Sequence, residues 1–89
     1  MRFILAFLLL TTPALAVPCG PHDEMTAGLK RSYGEVAQVQ AMSGDGRMLE
    51  MFANLDTGTW TAMLTAPDGT ACLAAAGDQY RAAKPGNPA

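Results

Sequence analysis

The densest group of side chains capable of chemistry is Cys19-Gly20-Pro21-His22-Asp23-Glu24, which joins a thiol, the chain's single imidazole and two carboxylates. Imidazole and carboxylate together suit zinc or copper, so His22, Asp23 and Glu24 are the candidate metal ligands. No second histidine completes such a site. A solvent-exposed first helical turn, with Asp23 and Glu24 complementing the positive helix end, accounts for the same residues. The methionines Met25, Met42, Met48, Met51 and Met63 are spread along the chain, and packing explains them better than thioether ligation of Cu(I). The sequence implies no cofactor.

Catalytic constellations are poor. Acyl transfer needs a nucleophile, a base and an orienting acid, and no spacing brings Ser32 or Ser43 together with His22 and an aspartate. No glycine-rich phosphate loop leads from a strand into a helix, since Gly44-Asp45-Gly46 belongs to a hairpin turn. The sequence therefore predicts a protein that is not an enzyme.

Cys19 and Cys72 are the only cysteines. Whether they pair depends on the compartment, and the N-terminus bears on that. Arg2 precedes an unbroken apolar run from Phe3 to Leu10, then Thr11-Thr12-Pro13 and the small-x-small triplet Ala14-Leu15-Ala16. That order is the signature of a secretory signal peptide over residues 1–16. The run is shorter than the roughly 20 apolar residues a bilayer span needs. A periplasmic or secreted protein follows, and with it a structural Cys19–Cys72 disulfide. Closing a loop of about 54 residues is worth roughly 4 kcal/mol in the chain-entropy model. A domain of this size, marginal without a staple, needs that contribution.

With Arg2 removed, five Lys and Arg oppose eight Asp and Glu. A mildly acidic chain without basic clusters excludes nucleic acid as a partner and gives no reason to expect a membrane surface after signal removal.

The elements that must position these residues are one helix and four strands. Pro21 to Ser32 reads as a helix: Pro21 suits its first turn, Met25, Leu29 and Tyr33 form an apolar stripe, and Gly34 caps its end. Strands are predicted over Glu35–Met42, Arg47–Asn54, Thr59–Ala66 and Thr70–Ala76, separated by Ser43-Gly44-Asp45-Gly46, Asp56-Thr57-Gly58 and Pro67-Asp68-Gly69. Short turns make sequential strands antiparallel. The expected fold is α+β, with an N-terminal helix packed on a four-stranded antiparallel meander in a domain over residues 17–80 and a flexible tail over 81–89.

Sidedness is argued from the cysteines. Cys19 precedes the helix, so Cys72 is expected to point to the helix side. By alternation Trp60, Ala62, Leu64, Leu49, Met51 and Ala53 would lie beneath the helix, with Glu50 in solvent. Met48, Phe52, Met63 and Leu73 would then form an uncovered apolar patch, the candidate face for an unknown protein partner or for self-association.

Several of these segments resemble an uncharacterised family of short exported alphaproteobacterial proteins. The resemblance rests on Cys19 with His22, Leu29, Tyr33-Gly34-Glu35, Glu50-Met51-Phe52, Thr57-Gly58-Thr59-Trp60-Thr61, Pro67-Asp68-Gly69 and Cys72-Leu73, and covers most of residues 19–77. It implies export and a paired disulfide, and carries no activity or functional residue. The sequence reading is therefore a small exported protein-binding module, the alternative being a metal or small-ligand binder at His22, Asp23 and Glu24.

Overall fold

A computed structural model describes residues 18–83. The signal peptide expected over residues 1–16 and the tail residues 84–89 lie outside the described residues. The chain runs β1 (Cys19–Pro21), α1 (His22–Tyr33), β2 (Val36–Met42), β3 (Met48–Ala53), β4 (Trp60–Thr65) and β5 (Thr70–Gly77). The class is α+β, as expected. The sheet, however, has five antiparallel strands in the order β1-β5-β4-β3-β2. The additional strand is Cys19-Gly20-Pro21, too short to show alternation and built from residues poor in strand propensity. It is held by its partner instead: Cys19 lies opposite Cys72, Leu73 N–H donates to Pro18 O at 3.0 Å, and His22 N–H to Gly69 O at 2.9 Å. The helix is thus inserted after the first strand.

The disulfide forms as expected, across the Cys19–Cys72 register pair with a Cα–Cα distance of 4.1 Å. Its side of the sheet does not. Ala71 and Leu73 belong to the cluster under the helix, with Leu29, Met25, Phe52 and Met63. Alternation therefore sends Cys72 to the opposite face. Gly20, not Cys19, faces the helix: a Cβ there would stand 3.4 Å from the Met25 sulfur.

That one-residue displacement inverts the assignments made for β3, for β4 and for Leu73, because strand side chains have period two. The patch expected to be open is the covered one: Phe52 is 3% exposed, Met63 0%, Leu73 packs against them, and Met48 is half-buried. Glu50, expected in solvent, is 2% exposed on the same side. Leu49, Met51, Trp60 and Leu64, expected under the helix, lie on the far side of the sheet, where the register aligns Leu49 with Leu64 and Leu64 with Cys72.

The helix C-terminus is fixed to the sheet. Gly34 adopts φ 66° and donates to Lys30 O at 2.9 Å, which only a residue tolerant of positive φ does cheaply. Asn54, just after β3, donates from Nδ2 to Tyr33 O at 3.0 Å, and its Oδ1 accepts from Asp56 and Thr57 N–H in the following turn. One side chain thereby caps the helix and shapes a loop. A Cβ at Gly34 would approach that Asn54 amide to 2.7 Å.

Two outcomes test this arrangement. Phe52→Ala should cost about 3–5 kcal/mol in urea denaturation, and Leu49→Ala only about 0.5 kcal/mol; the reverse order would restore the opposite sidedness. Reducing the disulfide should lower stability by about 4 kcal/mol, seen as a lower denaturation midpoint for the Cys19→Ser/Cys72→Ser variant.

Candidate functional site

The side chains that the fold brings together are His22, Glu50, Gln40 and Asp23. His22 opens α1, and the β1–β5 pairing sets its position above the sheet. Glu50 is central in β3, opposite Gln40 of β2 and Met63 of β4. The imidazole Nε2 is 2.6 Å from Glu50 Oε1, and Gln40 Nε2–H donates to Glu50 Oε2 at 2.7 Å. Both oxygens of a carboxylate that is removed from water are thus satisfied, the condition on which such burial rests. On the other side of the ring, Nδ1 lies 3.1 Å from the exposed Asp23 Oδ1.

Two carboxylates beside one imidazole favour its protonated form, in which both nitrogens donate. The hydrogen bond with Glu50, and then that with Asp23, raise the His22 pKa above its ordinary 6.5, against a smaller opposing effect of desolvation. The result is an ionic clamp between the N-terminus of α1 and the middle of the sheet. Together with Asn54 at the C-terminal end, it fixes both ends of the helix.

The candidate metal ligands are not brought together as a set. His22 and Asp23 meet, but both ring nitrogens already face carboxylate oxygens, and Glu24 is exposed. Among the described residues, no group of three His, Cys, Asp or Glu side chains is placed to hold a metal ion. The first turn is exposed at Asp23 and Glu24, as expected, and only His22 departs from it, turned inward and half-buried.

Sequence reasoning missed Glu50, Gln40 and Glu35. Glu50 is the one charge in the strand Met-Leu-Glu-Met-Phe-Ala, and a lone charge there reads as solvent-facing. The signal available was that both alternation sets of β3 contain large apolar residues, Met48 and Phe52 in one and Leu49 and Met51 in the other, so that either side could be the buried one. Glu35 follows the capping glycine. It is 3% exposed, and its Oε1 is buried with no hydrogen-bond partner.

Comparison of the chain with protein-family models, with curated proteins and with solved structures returns no match. No helix among the described residues is long and apolar enough to cross a membrane.

The His22–Glu50 contact makes stability depend on pH. A histidine whose folded pKa lies above its unfolded value contributes fully below the unfolded value, near 6.5, and loses that contribution as pH rises through the folded value. The denaturation midpoint should therefore fall on going from below pH 6.5 into the alkaline range. His22→Ala should flatten this part of the profile. A wild-type midpoint that rises over the same interval would remove the clamp from the account.

Proposed function

We propose that this protein is a small exported, non-catalytic protein-binding module that engages its partner through the disulfide-bearing face of the sheet. One observation carries the reading: both faces of the sheet are apolar, and the helix covers one of them. Glu35, Glu50, Thr61 and Thr65 are buried on the helix side, while the opposite side carries Val39, Leu49, Met51, Trp60 and Leu64. Antiparallel sheets with one solvated face ordinarily place polar residues outward. An apolar outward face, with Val39 51% and Leu49 37% exposed, is the pattern of a surface used for association. Trp60 and Met51 are residue types enriched at the centres of interfaces.

The disulfide supports the compartment, because structural disulfides persist where the environment is oxidising. Secretion by way of residues 1–16, periplasmic or extracellular residence, and membership of the family of short exported proteins described above belong to the same proposal. The partner offers an apolar surface, since Val39, Leu49, Met51, Trp60 and Leu64 present no charge for it to match.

Leu49→Asp and Val39→Asp place charge on this face at exposed positions, where folding tolerates it. Crosslinking in the native exported fraction should give a discrete adduct with the wild type and with the control Ala27→Asp on the exposed side of α1. Both sheet-face variants should lose it. Equal adducts from all four proteins would reject the face, and no adduct from the wild type would reject the binding role.

A further inference from the structure

We propose that the cleft floored by Glu35, between the C-terminal end of α1 and the sheet, binds a primary alkylammonium group. Glu35 sits directly after the Gly34 cap, with its N–H donating to Leu29 O at 3.2 Å, so the helix ending fixes its backbone. Its side chain is buried, and Oε1 has no hydrogen-bond partner. Among the described residues, no Lys or Arg forms an ion pair with it. Buried charges are ordinarily paired. Glu50, the other buried carboxylate on this side of the sheet, meets that requirement through His22 and Gln40, and Glu35 does not.

The surroundings define what would pair with it. Glu35 lines a cleft of about 240 Å³ together with Leu29, Tyr33, Thr61, Leu73 and Ala76. One carboxylate is too few ligands for Ca2+ or Mg2+, which take six or more oxygens, or for Zn2+, which takes four ligands. Apolar walls offer nothing to a fully hydrated ion. They do suit a short carbon chain that carries the cation at its end, the usual division of labour in small-molecule sites. Tyr33, largely exposed at the rim, is an aromatic residue available to the same cation. Lys30 lines the adjacent cleft on the other side of Glu35 and is the chain's own competitor for the carboxylate. Two sources share this chemistry, a free alkylamine and the side chain of a lysine in another protein.

Titration of the oxidised protein with n-butylammonium, followed by the methyl resonances of Leu29 and Leu73, tests the site. Saturable shifts are expected at both residues and not at Leu49 across the sheet. The neutral 1-butanol should give none. Glu35→Gln should weaken binding about tenfold or more, the factor that corresponds to one charge-assisted hydrogen bond. Ala76→Leu, which fills the cleft at an exposed position and leaves the carboxylate intact, should abolish binding, and decides the matter if Glu35→Gln disturbs the fold. Lys30→Ala should leave binding unchanged or tighten it. A parallel titration with Nα-acetyl-lysine N-methylamide separates the sources: binding there as well admits a protein lysine, and binding of the free amine alone assigns a small amine. No saturable shift with either probe, or equal affinity in Ala76→Leu, overturns the proposal.

Discussion

The arrangement of the whole domain depends on the register of one covalent pair. Cys19 lies opposite Cys72 in adjacent antiparallel strands, which makes Cys19-Gly20-Pro21 a strand of the sheet and not a lead-in to the helix. The helix begins at the next residue. Gly20, and not Cys19, is turned toward Met25 of the helix, so the sulfur atoms and the helix lie on opposite faces of the sheet. Phe52, Met63, Ala71 and Leu73 are core residues for that reason, and Leu49 and Leu64 are not.

The covered side is chemically mixed, and this shapes how the helix is held. A single amphipathic helix with Met25 and Leu29 as its apolar contacts supplies a small hydrophobic area. Directional contacts supplement it. At one end His22 reaches the buried Glu50, and at the other Asn54 holds the Tyr33 carbonyl beside the left-handed Gly34. These contacts fix orientation more than they add stability, because desolvating a charge offsets much of what its pairing returns.

Much of the fold was legible in the sequence. The turns at Gly46, Gly58 and Gly69, the helix stop at Gly34 and the β2–β5 meander follow from local chemistry, in which residue type and backbone conformation are directly coupled. Sidedness is different in kind. It is a parity, decided by whether Cys19 or Gly20 points at the helix, and β3 and β4 carry apolar residues in both alternation sets. Nothing local broke the tie, and a wrong parity moved Met48, Phe52, Met63 and Leu73 to the wrong side together. The His22–Glu50 contact joins residues 28 apart in sequence and was invisible for the same reason: it exists only once the parity is set. Trp60 shows how tertiary context gives meaning to a small residue. Gly77 lies opposite it, and a Cβ there would come within 3.0 Å of the indole ring.

The two borders of the sheet are unequal. On one side stands β1, three residues long and closed by a sulfur bridge; on the other stands β2, seven residues of Val, Ala, Gln and Met without a charge or a proline. Lysine, proline and brevity are the usual means of discouraging a further strand, and β2 has only an irregularity between Ala37 and Val39. Among the described residues β2 is the longer open edge, while on the other border β1 covers only Thr70 to Cys72 and leaves the second half of β5 without a neighbour. Two copies paired edge to edge along β2 would each cover the other's longer open edge, and only the short stretch of β5 beyond β1 would be left to extend the sheet.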